Sequence, residues 1–374
     1  MIIRTELLQD SCAKILNAVD SNVLSAVTET LEIKASNNVF TMAVTNREYF
    51  VEIKMDIEVS DEFHATVNAN LFLKLIAKVT SETIELSTNG NSLYIRCNGD
   101  YKIPLIYDGD KLMELPRIDI ENVNEAFDVE SSVLRSLVNY NSKELQKGTI
   151  SKPIQRLYYV DNAGAVTFTT GACVNKFDID MKSKLLLNDK LVKLFKLFKD
   201  TKVKMTVGHN PIGDDTVATV VSFEAPNITI SAVLNCDDSM AIQFPVDGIR
   251  GRAEAVYPHT VAINKDILTQ AIDRLMLFSQ AVSKSDLSLS IVKMVFTNDG
   301  VTVSDRMDVN KEDVGYSTAV EGIDSYTAYI DSSDLTKTLA SCTNQFVTFN
   351  FGNTQAFVLS EGMIRWVIPE CSEN

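Results

Sequence analysis

The sequence predicts an α+β protein of three similar domains in series, and three observations carry that expectation. A Lys-bearing amphipathic helix, a short gap and two strands can be read three times: at 70–78 with 83–87 and 92–97, at 188–199 with 202–207 and 217–223, and at 333–339 with 345–351 and 355–359. A further helix opens each third, at about 5–19, 130–142 and 264–279. No low-complexity tract or long Pro/Gly/Ser linker interrupts the 374 residues, so the parts are expected to form a rigid series. A repeat as long as a domain points to tandem domains rather than a solenoid. The expected boundaries are 1–123, 124–256 and 257–374, at a polar stretch from Asp119 to Glu125 and another near Arg252 to Tyr257.

Each element has a local reason. Thr5 and Glu6 suit a helix start, and Leu8, Cys12, Ile15 and Val19 follow at helical spacing with Lys14 off that stripe. Leu31-Glu32-Ile33-Lys34 and the run from Phe50 to Val59 alternate as strands do. Asn89-Gly90-Asn91 and Gly352-Asn353 mark hairpin turns in the first and third modules. The helix at 188–199 gathers Leu191, Leu194, Phe195 and Phe198 on one side, while Lys190, Lys193, Lys196 and Lys199 sweep across the other. Such a face can be merely solvated, can lie on a membrane surface, or can meet phosphates. The repeat favours the third use. Lys74 and Lys78 occupy the equivalent helix of the first third and Lys337 that of the third, while Arg135 and Arg274 add cations to the other helix of their thirds.

Composition narrows the classes. Hydrophobic residues make up 45%, ordinary for a globular protein, and no apolar run reaches the roughly 18 residues of a membrane span. The start, Met1-Ile2-Ile3-Arg4-Thr5-Glu6, lacks the pattern of a secretory signal. Six scattered cysteines without a CxxC pair fit a reducing compartment, so a cytoplasmic location is expected. The net charge of −15 argues against nucleic acid in sum, but acidic residues such as Asp56, Glu58, Asp108 and Asp110 crowd strands and loops whereas lysines fall on helices. A chain acidic outside and basic on one surface is compatible with both facts.

Signs of catalysis are missing. His64, His209 and His259 stand far apart with no ligand motif, so no metal is expected. Neither GxxxxGK[ST], GxGxxG nor GxSxG occurs, and no cofactor is expected. Asp214-Asp215 and Asp237-Asp238 read as turn residues beside Gly213 and Ser239, and Cys173 as a buried thiol without a nearby histidine.

Four segments, in order and spacing, resemble the bacterial-type DNA sliding clamp, the beta subunit of the replicative polymerase. They are Asn68 to Ile76 with Thr83 to Leu86 and Leu93 to Cys97; Thr169-Thr170-Gly171-Ala172-Cys173-Val174, where the family has Thr-Asp-Gly-His-Arg-Leu; Phe244-Pro245; and Arg365-Trp366-Val367-Ile368-Pro369. The departures are the loss of that Asp, His and Arg, a proline-free stretch from Asn22 to Val27, and the acidic close Glu370-Cys371-Ser372-Glu373-Asn374. Such drift suits a phage or mobile-element clamp.

The resemblance implies three clamp domains, each two helices backed by antiparallel sheet, in a head-to-tail homodimeric ring. It also implies a non-enzymatic role: encircling double-stranded DNA without reading sequence and tethering the replicative polymerase, the clamp loader and other proteins that carry a clamp-binding motif. A clamp-like interaction scaffold never loaded on DNA is the alternative. Lys74, Lys78, Arg135, Lys190, Lys193, Lys196, Lys199, Arg274 and Lys337 are then expected to face DNA. Ile103 and Leu105 on an edge strand, with Leu277 and Phe278 on the third domain's first helix, are expected at the dimer interface. The family's peptide pocket maps onto Ile154, Thr169, Gly171, Ala172, Cys173, Val174, Pro245, Trp366, Val367, Ile368 and Pro369. Gly171 is expected to admit a peptide backbone, Trp366 to anchor it, and Glu370 to disfavour acidic peptides.

Overall fold

Alternation of apolar and polar residues builds antiparallel sheets that form the framework of the chain. The computed structural model describes residues 1–19, 25–58, 62–145, 152–213, 216–234, 238–282, 290–352 and 356–372. Asn22, Val23, Leu24, Val59, Asp214, Asp215, Cys236, Asp237, Asn353, Glu373 and Asn374 lie outside the described residues.

By its contacts the chain forms two units, Met1–Ser132 with Lys193–Asp237, and Val133–Val192 with Asp238–Asn374. The sequence repeat therefore does not coincide with the packing, because strands on both sides of the polar stretch at 119–125 join one sheet. In the first unit that sheet has eight strands, in the order Asn122–Glu130, Lys202–Pro211, Val217–Ala225, Ile228–Leu234, Tyr49–Asp56, Val39–Thr45, Thr30–Ser36 and Phe63–Asn68. A four-stranded sheet of Ile2–Arg4, Thr83–Asn89, Ser92–Arg96 and Asp100–Pro104 accompanies it, with Asp100–Pro104 at an edge. The helices Thr5–Leu16 and Ala69–Ile76 lie against each other, burying Leu8, Cys12, Ile15, Phe72 and Ile76. Asn68 caps the second of these by accepting the Leu71 amide at 3.0 Å.

The second unit repeats the plan. Its eight strands run Leu185–Asn188, Leu157–Asp161, Gly164–Phe168, Ala172–Lys176, Ile364–Pro369, Ala356–Glu361, Phe346–Phe351 and His259–Asn264. A smaller sheet holds Lys311–Val314, Val301–Asp305, Ile291–Phe296 and Tyr326–Asp331. Phe296, Phe349, Phe351, Phe357 and Trp366 belong to one buried core with Leu268, Ile272 and Leu335 from the helices Lys265–Val282 and Ser332–Leu339.

Two expected helices are modified. The segment 130–142 is an α-turn, Ser131–Ser136, then a π-turn, Leu137–Asn141, and a last turn, Ser142–Leu145. The segment 188–199 is α-helical only over Asp189–Leu194, tightens to 3-10 over Phe195–Leu197, and leaves the helix at Phe198 (φ −79°, ψ 118°). Phe198 is fully buried, and its ring and that of Phe223 lie 6.4 and 4.7 Å from Phe195. Burying both phenylalanines outweighs a last helical turn. Lys199 consequently sits beyond the helix.

Candidate functional site

The tight turn between the Gly164–Phe168 and Ala172–Lys176 strands builds one wall of an apolar cavity in the second unit. The Thr169 amide donates to the Gly171 carbonyl at 2.9 Å, and Thr169 Oγ1 donates to Glu144 Oε1 at 2.9 Å. Ala172 faces Val367 across the sheet, and Ala356 faces Pro369, which gives the floor. A linker helix, Val246–Ala253, closes the other side with Gly248, Ile249 and Arg252. Pro245 enters it from Phe244, whose ring packs 5.1 Å from Phe168 and 5.3 Å from Tyr159. The cavity holds about 300 Å³, the lower end of small-ligand pockets.

Of the residues expected here, Thr169, Gly171, Ala172, Pro245, Val367 and Pro369 come together around this space. Strand alternation turns Cys173, Trp366 and Ile368 away, while Val174 shares the face of Ala172 but lies outside the lining. Cys173, Val174, Trp366 and Ile368 are all at most 1% exposed, and Ile154 is half-buried in the 3-10 turn Pro153–Arg156, outside the lining. Trp366 is thus a core residue, edge-on to Tyr140 at 6.1 Å, and is not exposed as an anchor. Gly171 serves a different need from the expected one, since a Cβ there would stand 2.5 Å from the Val367 carbonyl oxygen of the chain itself.

The electrostatics differ as well. Glu370 accepts the Tyr326 hydroxyl at 2.6 Å and does not line the cavity, while burial raises its carboxyl above the usual range. Among the described lining residues Arg252 is the charged one. Phe168, Gly248, Ile249, Arg252 and Ala356 were not expected from sequence. The two glycines of Val246–Ala253 disguise a helix that tertiary contacts hold. Arg250 pairs with Asp161 at 2.7 Å, and Lys176 with Glu254 at 2.9 Å.

The basic positions divide between the units. Lys74, Lys78, Lys193, Lys196 and Lys199 belong to the first, and all are exposed. Arg135, Lys190, Arg274 and Lys337 belong to the second; Arg135 is half-buried, the others exposed. Arg274 is occupied: Nε and Nη2 donate to the two carboxylate oxygens of Glu312 at 2.8 and 2.6 Å. Lys199 lines a small cavity with Phe198, Ile228 and Lys14.

Of the expected interface residues, Ile103 is 2% exposed and faces Leu93 inside its own sheet, a core position rather than a surface one. Leu105 is half-buried. Leu277 and Phe278 are exposed by 65% and 54%, a large apolar surface on one helix. Among the described residues no group of three or more His, Cys, Asp and Glu could hold a metal, and no helix is long and apolar enough to cross a membrane.

No family model matches the chain. A stretch of 143 residues is 27% identical to the beta sliding clamp of Mycoplasmopsis pulmonis (strain UAB CTIP), and spans 37% of each protein, so the match covers little over a third of that relative. Similar folds extend over the whole chain. A DNA polymerase sliding clamp from Pseudomonas aeruginosa with ligand superposes with a TM-score of 0.75 at 12% identity, covering 100% of this chain and 99% of that one. The P. aeruginosa clamp bound to griselimycin gives 0.78 at 12%, with 100% and 99% covered. The clamp from Bacillus subtilis gives 0.74 at 16%, with 99% and 98% covered. At these identities the structures establish the fold, a three-domain α+β sliding-clamp fold.

Proposed function

We propose that this chain, a divergent member of the bacterial DNA polymerase III beta sliding-clamp family, is a processivity factor that encircles duplex DNA and tethers its polymerase. The observation that carries the reading is the end-to-end match in fold to clamps. On this reading the chain is not an enzyme. Its three clamp domains are 1–123, 124–256 and 257–374, and two chains join head to tail. The mechanism is topological. A closed ring need not grip, so the exposed lysines at 74, 78, 190, 193, 196, 199 and 337 need only attract a phosphate-lined duplex through screened, water-mediated contact that permits sliding. Arg135 and Arg274 belong to the same set, with Arg274 already answered by Glu312.

The apolar cavity over Ala172 and Val367 is the docking pocket for extended apolar motifs of the polymerase, the clamp loader and other partners. Its contacts are Thr169, Gly171, Ala172, Pro245, Val367 and Pro369, with Arg252 at the rim. Loss of the family's His and Arg shifts the preferred peptide, and Arg252 favours an acidic residue beside the apolar ones.

Retention on DNA tests the reading. Loaded by the loader of its own cell onto nicked circular plasmid, the protein should stay bound through a high-salt wash and be lost when the plasmid is linearised. Equal retention on both forms would overturn the ring. Binding of loader peptides without retention on either form would support the scaffold.

A further inference from the structure

Each eight-stranded sheet has an internal junction of the same kind. In one, Ile228–Leu234 pairs with Tyr49–Asp56; in the other, Ile364–Pro369 pairs with Ala172–Lys176, and each pair occupies the middle of its sheet. The apolar cavity lies beside the second junction, closed by the segment that follows Phe244. Beside the first junction lies another cavity, of about 480 Å³, closed by the segment Arg117 to Val123. The positions correspond, and the chemistry is opposite.

Two cross-strand rows make the floor of this second cavity. Glu52 faces Thr229, which faces Glu224 on the next strand. Phe50 faces Ser231, then Ser222, then Thr206. Glu52 is buried, and two cations answer it: Arg117 Nη1 at 2.8 Å and Lys54 Nζ at 3.2 Å. The Arg117 guanidinium also covers the Phe50 ring at 5.1 Å. Both cations are thereby committed. Asp119 and Glu224 also line the cavity and are exposed; among the described residues neither makes a direct ion pair, though Arg117 lies within electrostatic reach of Asp119, so three carboxylates face two cations. Among the described residues Glu224 receives a long hydrogen bond from Ser222, 3.4 Å. The remaining field in the cavity is negative.

We propose that this cavity is a second docking pocket, and that it receives a cationic side chain, Arg or Lys, from an extended basic segment of a partner protein. Asp119 and Glu224 answer the charge. The hydroxyls of Thr206, Ser222, Thr229 and Ser231 accept the remaining N–H groups, and the apolar stem lies against Ile118 and Val123. The volume admits one long side chain with its neighbours. An apolar peptide finds no floor here, and an acidic one meets like charge, so the two cavities sort partners by chemistry. The assignment stands whether or not the chain encircles DNA.

Two blocked tripeptides, Leu-Arg-Leu and Leu-Glu-Leu, titrated calorimetrically into the full chain at low salt, test it. The arginine peptide should bind and the glutamate peptide should not. The double substitution Asp119→Asn with Glu224→Gln should weaken binding at least tenfold without changing the melting temperature. Neutralising two exposed carboxylates elsewhere, Asp108→Asn with Asp110→Asn, should leave binding within twofold and so exclude a general effect of the chain's net charge. An apolar peptide seated over Val367 should not compete. No heat from the arginine peptide at millimolar concentration, equal binding by both peptides or by both double variants, or competition from the apolar peptide would each overturn the proposal.

Discussion

Arg250 grips Asp161 in a two-pronged ion pair, with Nη1 to Oδ2 and Nη2 to Oδ1 both at 2.7 Å, and a longer bond to the Gly164 carbonyl at 3.4 Å. The pair fastens the linker helix Val246–Ala253 to the strands beneath it. That helix carries Gly248 and Gly251, each costing up to about 1 kcal/mol relative to alanine in a helix interior. Its place over the apolar cavity therefore depends on the side chains that tie it down.

Asp161→Asn should lower stability by about 1–3 kcal/mol, less than for a fully buried pair because both side chains keep some solvent contact. Burial works to raise the Asp161 carboxyl, and Arg250 outweighs it, holding the group below its ordinary 3.8. A depressed carboxyl contributes stability above its unfolded value and loses it as pH falls through the folded one. The wild-type melting temperature should therefore drop more steeply than that of Asp161→Asn as the pH is taken below about 4. Peptide binding over Val367 should also weaken, because Ile249 and Arg252 move with the helix. Parallel acid melting curves for the two proteins would refute the coupling.

The repeat was legible because helix and strand periodicities differ so plainly, and Ala69–Ile76 and Ser332–Leu339 fall where the lysine-bearing stripes place them. The end of the helix begun at Asp189 was not, because periodicity carries no record of Phe195 packing against Phe223. The site was half legible for a similar reason. Residues 366–369 are a strand, and alternation sends Trp366 and Ile368 inward while Val367 and Pro369 reach the cavity. Once the segment is paired, that sidedness follows from register, which a sequence motif does not specify. Arg252 and Ile249 stayed hidden because their helix is held by Asp161 and Lys176, far away in sequence.

Gly171→Ala should cost about 1–3 kcal/mol, since the new Cβ would meet the Val367 carbonyl oxygen at 2.5 Å and backbone must shift to admit it. The same change at Gly251 meets nothing within 4 Å and replaces glycine inside a helix, so Gly251→Ala should stabilise by about 0.5–1 kcal/mol. Chemical denaturation of both variants distinguishes the effects. A Gly171→Ala protein as stable as wild type would show that the strand pair yields there at little cost.

Leu277 and Phe278 present an exposed apolar surface to a second chain, each able to contribute about 1.5–3 kcal/mol when fully buried. Light scattering at micromolar concentration should report twice the chain mass. Leu277→Glu with Phe278→Glu should give monomers of undiminished stability per chain. Ile103→Ala should instead cost about 2–5 kcal/mol at any concentration, because Ile103 fills its own core. A wild-type monomer, or a double variant that remains dimeric, would place the interface elsewhere.

The lysine wall can be tested beside Arg274, whose two-pronged ion pair is defined. Lys193 and Lys196 are exposed and off the buried stripe of Leu191, Leu194 and Phe195, so Lys193→Glu with Lys196→Glu should leave the melting temperature unchanged. Retention on nicked circular DNA should fall, most at low salt, where screening lengths reach about 30 Å against about 8 Å at physiological ionic strength. Arg274→Ala should cost far less, because Glu312 takes both prongs of that guanidinium and leaves little net charge to meet a phosphate. If the lysine double variant is retained like wild type across the salt range, the lysines do not face DNA. If Arg274→Ala is as damaging as the lysine pair, the ion pair with Glu312 opens when DNA is present, and charge rather than occupancy decides which cations contribute.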